Sequence, residues 1–177
     1  MTSTHKKYVA DKRLADLKQM TSIECQCERC RDACYHKPGW FAPGEAERVA
    51  DYLKLPLQEL FDTKLMVDWL TAGEDTVGTA PVFILSPAVT RSSPGGEFDA
   101  NPRGRCVFYV DDKCSIHAVK PMECRLWSCQ VDGVVHKEVG QTWERPDHQQ
   151  QIETLLGRKP VEDDSMYGSG FFGGMFD

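Results

Sequence analysis

The sequence predicts a small α+β domain that is helix-rich in its first half and carries short β-hairpins and loops in its second. Three observations lead there. Apolar residues recur at helical spacing between positions 43 and 69. A short apolar run, PVFILSPAV, lies between two prolines, and CVFYVDDKCSIH has the composition of two short strands around a turn. Eight cysteines fall in two groups within loop-like surroundings, so the fold is expected to be organised around a cysteine-ligated metal centre.

The elements follow in order. Ala10, Leu14 and Leu17 lie at i, i+4 and i+7, which predicts an amphipathic helix over 6–20 whose apolar stripe is core contact. In FAPGEAERVADYLKLPLQELFDTKLMVDWL, Pro43 suits a first helical position, with Glu45 and Glu47 in the first turn, where the helix dipole favours negative charge. Ala46, Val49, Ala50 and Leu53 share one face. Pro56 interrupts and opens a second helix, expected to bury Leu57, Leu60, Phe61, Leu65 and Trp69.

TAGEDTVGTA (71–80) reads as a linker, and PVFILSPAV as a buried strand. TRSSPGGEFDANPRG (90–104) is loop-like. Val107 to Val110 then forms a strand, Asp111-Asp112-Lys113 a turn, and Cys114 begins the return. AVKPMECRLW predicts a helical turn opening at Pro121. Asp132-Gly133 is a hairpin signal within VDGVVHKEV. PDHQQQIETLLGRK predicts a last helix stopped by Gly157. The expected organisation is a helical segment at 1–24, a cysteine-cluster domain at 25–158 and an acidic, Gly/aromatic tail at 159–177. Residues 161–177 hold four acids and no base, a composition that suits order only on a partner.

Charge and hydropathy narrow the function. The net charge of −6 argues against a general nucleic-acid binder. Residues 1–37 carry eight basic and five acidic residues, which leaves −9 for the remainder. That local excess reads as a solvated face. No apolar run approaches the ~20 residues needed to span a bilayer, and the first twenty residues lack a signal-peptide core. A cytoplasmic protein is expected, in which thiols stay reduced and cysteines point to metal ahead of disulfides.

The candidate ligands are Cys25, Cys27, Cys30 and Cys34 upstream and Cys106, Cys114, Cys124 and Cys129 downstream. Cys27-x2-Cys30 lets two thiolates chelate one ion from a tight turn, and Cys34 is close enough to join. The downstream gaps of seven, nine and four residues depart from the paired short spacings of zinc ribbons, which favours an iron–sulfur cluster over zinc. Two four-thiolate sites, or one cluster with thiols to spare, both fit. Arg29, Arg31, Lys120 and Arg125 place positive charge near the thiolates. His36 and His117 are the histidines nearest to them. Trp127 falls between Cys124 and Cys129, where it would shield the site, and Trp69 and Trp143 read as core or covering residues.

Cys27-Glu-Arg-Cys30 with Cys34, then PGEAERVADYLKLPLQELF, CVFYVDDKCSIH and KPMECR, occur in an order that resembles the YkgJ-type cysteine-cluster family, described as zinc- or iron-chelating. The resemblance spans roughly residues 25–130 and implies ligation by Cys27, Cys30, Cys34, Cys106, Cys114 and Cys124. Cys25 and Cys129 join the set by proximity. Where the family has adjacent cysteines this chain has Ala33-Cys34, and Cys25 is the candidate replacement. His117 stands in place of a tyrosine, and Lys120 in place of an arginine before Pro121.

Two functions emerge: a metal-stabilised accessory protein that acts through a protein partner, and an iron–sulfur redox protein. A dithiol reading of Cys25-x-Cys27 or Cys27-x2-Cys30 ranks below both, because the motif sits in a charged loop among six other cysteines. There is no G-x-S-x-G, H-E-x-x-H or G-x4-G-K-[ST], so nothing in the sequence nominates a hydrolase.

Overall fold

A computed structural model describes residues 38–70, 81–98, 104–126 and 134–161, together with Glu28, Arg31, Asp32 and Tyr35, which are helical. The expected helix at 6–20, the linker at 71–80 and the tail from 162 onward lie outside the described residues.

The chain folds as a small α+β structure, with helices beside two short antiparallel strand pairs. Helix α1 (Glu45–Leu53) starts two residues after Pro43, following Gly44 at a φ of 84°, so Pro43 belongs to the preceding turn. Ala46, Val49 and Ala50 are buried on the expected face. Pro56 caps α2 (Leu57–Lys64), which buries Leu60 and Phe61.

That second helix does not continue to Trp69. Leu65–Leu70 is strand β1, paired antiparallel with β2 (Val82–Pro87) from Leu65↔Pro87 to Leu70↔Val82. The positions 57, 60, 61 and 65 satisfy a helical period, but a buried partner strand offers LMVDWL a full ladder and burial on two faces. Leu65 and Val67 enter the main core, and Met66 packs with Ala88, Val89 and Phe98 in a second, smaller cluster. This is the two-residue alternation of a strand.

All six residues of β2 are buried. Both outer edges of the pair are covered. Val67 donates to Gly96 O at 2.8 Å and accepts from Phe98 N at 2.9 Å, so the 95–98 segment runs along β1. On β2, Phe41 N donates to Leu85 O at 2.9 Å. The Gln149 side-chain amide pairs with Phe83, accepting from its N–H at 3.2 Å and donating to its C=O at 2.9 Å.

Beyond the sheet, β3 (Tyr109–Val110) and β4 (Lys113–Cys114) form the expected hairpin. Its strands are shorter than Val107–Val110, and Lys113 belongs to the return strand. The turn is Asp111-Asp112 alone, with both φ angles positive at 48° and 58°, the signature of a type I′ connection. A 3-10 turn (His117–Val119) leads to α3 (Met122–Leu126), which opens after Pro121 as expected.

Asp132-Gly133 lies outside the described residues, and the return strand expected after it is instead helix α4 (Val134–Trp143). Val135, Val139 and Trp143 recur every four residues, and Val139 and Trp143 are buried where α4 packs on β2. A Cβ on Gly140 would lie 2.2 Å from Leu70 Cδ1, so a side chain there would require Leu70 to move. Helix α5 (Pro146–Leu156) has its proline in the first turn and ends at Gly157, whose φ is 69°. In its first turn, the Arg145 guanidinium binds Asp147 and lowers its carboxyl pKa from 3.8 to about 2.

Candidate thiolate site

Cys106, Cys114 and Cys124 lie among the described residues. Cys25, Cys27, Cys30, Cys34 and Cys129 lie outside them, as do His36 and Trp127.

Cys106 sits in the 105–107 segment, antiparallel to the chain leaving β2. Thr90 N donates to Arg105 O at 2.9 Å and Val107 N to Ala88 O at 3.0 Å, with Val89 opposite Cys106. In an antiparallel ladder the residue between two such bonds turns its own backbone groups the other way. Accordingly Cys106 N donates to Tyr35 O at 3.0 Å, and its carbonyl accepts from Tyr109 N at 2.9 Å. Tyr35 is the residue directly after Cys34 in sequence.

Tyr109 joins the pieces. It stands opposite Cys114 across the hairpin, so the two side chains share a face. Its ring meets Tyr35 edge to face, with centroids 5.8 Å apart, while the Arg105 guanidinium lies 6.0 Å from the Tyr35 ring centre.

Cys124 lies on α3, and its Sγ accepts the Gly39 N–H at 3.2 Å. A backbone donor aimed at sulfur stabilises negative charge there. Gly39 can stand so close because it lacks a side chain. A Cβ there would meet Cys124 Sγ at 2.9 Å, Cys124 N at 3.0 Å and Glu123 Cβ at 3.1 Å. The next peptide repeats the contact, with Trp40 N donating to Glu123 Oε2 at 2.5 Å.

The 39–42 segment is held from its other side as well. Trp40 Nε1 donates to Asp68 Oδ2 at 2.8 Å, and the buried Trp143 Nε1 donates to Phe41 O at 2.7 Å. The main core thereby fixes the strip of chain that faces α3. Trp143 is a core residue, as the sequence suggests, and Trp69 is half-buried against the same cluster.

The sequence places Glu45 in the first turn of a helix but does not show its burial or its contacts with α3. Only 2% of this residue is exposed, and it is the one buried charged residue among those described. Its Oε2 accepts from Ala42 N at 3.0 Å and Met122 N at 2.8 Å, and its Oε1 from Arg48 Nη2 at 2.8 Å. Arg125 Nη2 approaches Oε1 at 3.6 Å, so the guanidinium beside Cys124 is engaged with Glu45. The local trace is the Ala42-Pro43-Gly44-Glu45 turn, where the first residue of α1 reaches back to the Ala42 N–H ahead of the helix. The link to Met122, 77 residues away, leaves no local trace.

Among the described residues, no group of three or more His, Cys, Asp or Glu side chains is arranged to hold a metal ion. His117 is exposed at the start of the 3-10 turn. None of the described helices is long and apolar enough to cross a membrane. Comparisons with protein-family models, curated proteins and solved structures find no match to this chain.

Proposed function

We propose that this chain is a cysteine-cluster protein whose thiolates hold an iron–sulfur cluster or zinc, and that it serves as a metal-stabilised accessory protein acting through a protein partner. The observation that carries this reading is the docking of the chain just after the upstream cysteines onto two downstream ones: Tyr35 O receives the Cys106 N–H, and Gly39 N–H is donated to Cys124 Sγ. Cys34 immediately precedes Tyr35 in sequence, and this adjacency supports a site that draws on both cysteine groups.

The fit to a metal is supported by the chemistry around Cys124. An amide donor to sulfur and a glycine cradle that a Cβ would fill are arrangements that suit a ligating thiolate. The described cysteines do not form a three-donor group by themselves, so closure of a site calls on Cys27, Cys30 and Cys34, with Cys25 and Cys129 as further candidates. A bound metal would contribute folding free energy to a region built from turns and two-residue strands.

Metal and acid-labile sulfide analysis of anaerobically purified protein, with a visible spectrum, tests the reading. Stoichiometric iron and sulfide with visible absorption identify a cluster, and one or two equivalents of zinc in colourless protein identify zinc. Cys30→Ser or chelation should lower the unfolding midpoint. Metal-free protein that melts like metal-treated protein refutes the proposal.

A further inference from the structure

We propose that Glu45 is a positioning residue for Cys124, an inference that rests on the thiolate reading above and extends it to a residue distant in sequence. Cys124 Sγ lies between two pieces of chain, the 39–42 strip that supplies the Gly39 N–H and the helix α3 that carries the cysteine. The same carboxylate oxygen of Glu45 clasps both pieces, accepting from Ala42 N at 3.0 Å and from Met122 N at 2.8 Å. Met122 opens α3, so its N–H has no partner within the helix, and Glu45 caps that helix from another element.

The other oxygen engages Arg48 at 2.8 Å and Arg125, the residue after Cys124, at 3.6 Å. Glu45 thus fixes α3 at its first turn and again beside the thiol. Its own place is secured by α1, whose neighbouring residues Ala46, Val49 and Ala50 are core. A carboxylate this deeply buried is costly unless its oxygens are satisfied. Here its partners are the backbone and side chains that set the Gly39–Cys124 spacing.

The test compares Glu45→Gln, in the full chain, with Ile84→Val, a core truncation in β2 that lowers stability by another route. Two readouts are taken under native conditions: the iodoacetamide labelling rate of Cys124 after chelator treatment, followed by peptide mass spectrometry, and zinc affinity by competition with a chromophoric chelator. Glu45→Gln should change the Cys124 labelling rate by about fivefold relative to Cys106 in the same molecules. It should also weaken zinc binding by about tenfold or more. Ile84→Val should leave both within twofold of wild type, a bound of roughly half a kcal/mol.

Equal behaviour of the two variants in both readouts overturns the assignment. If wild-type protein binds no zinc, the zinc form of the metal reading fails, and the labelling comparison still decides the role of Glu45. Glu45→Asp, which keeps the charge and shortens the reach, replaces the Gln variant if that does not fold. Failure of both to fold makes Glu45 a folding residue and overturns the positioning role.

Discussion

Gly39→Ala tests the geometry of the site most directly. The added methyl would stand 2.9 Å from Cys124 Sγ, 3.0 Å from Cys124 N and 3.1 Å from Glu123 Cβ. Non-bonded carbon prefers contacts of about 3.5–4.0 Å. Because one of the three atoms is backbone, the strain cannot be released by rotating a side chain, and α3 or the 39–40 peptide must move by about 0.5–1 Å. That displacement stretches two hydrogen bonds, Gly39 N–H to Cys124 Sγ at 3.2 Å and Trp40 N–H to Glu123 Oε2 at 2.5 Å. Overpacking costs ~1–3 kcal/mol, and each weakened bond up to ~1 kcal/mol, so the expected loss is about 2–4 kcal/mol. Urea unfolding measures it as a lower midpoint at unchanged slope. Gly96→Ala is the control: its Cβ would meet only Ser93 O, at 3.6 Å, and its midpoint should stay within about 0.5 kcal/mol of wild type. If Gly39→Ala unfolds with the wild-type midpoint, the close approach of the 39–42 strip to α3 is wrong.

Other substitutions probe the supporting frame. Gly140→Ala should lose about 1–3 kcal/mol through collision with Leu70 Cδ1, and Leu70→Ala in the same chain should make the two effects less than additive in a double-mutant cycle by urea unfolding. Asp112→Gly should gain about 0.5–1 kcal/mol, because the second turn residue sits at a φ of 58° where glycine carries no steric penalty; a loss would mean the Asp112 side chain itself stabilises the turn. The depressed Asp147 pKa stabilises the folded state above the ordinary value of 3.8, and this contribution is lost as pH falls from about 4 towards about 2. NMR titration should place the Asp147 midpoint near that lower value in low salt and move it upward in Arg145→Gln; an unmoved midpoint would sink the pairing.

The sequence made legible whatever depends on near neighbours. The buried face of α1, the proline start of α2, the glycine stop after α5 and the apolar run of β2 each follow from spacing or a single residue's conformational preference. Two elements differ from their local pattern because a distant partner decides the outcome. LMVDWL continues a helical period from α2 and becomes a strand because β2 lies beside it. Asp132-Gly133 looks like a turn between strands, yet the residues after it form a helix that packs on β2 and buries Val139 and Trp143. At the site, the cysteines stand out by composition, whereas Gly39 and Glu45 do not. Gly39 matters through a contact 85 residues away, and Glu45 through one 77 residues away, and neither separation has a periodic signature.

The closure of β2 at Phe83 has a consequence for how this chain behaves in a crowded mixture. A free strand edge is a template for another molecule's backbone, and proteins usually blunt it with a further strand, a charge or a bulge. Here the carboxamide of Gln149 imitates one peptide unit, filling both bonding positions of Phe83 and anchoring itself to Trp143 O at 2.7 Å. A strand would take several coordinated mutations to remove, but this imitation is one codon deep. Gln149→Ala would remove both of these partners of Phe83 at once, so the blocking of the edge at this position rests on a single side chain in a helix.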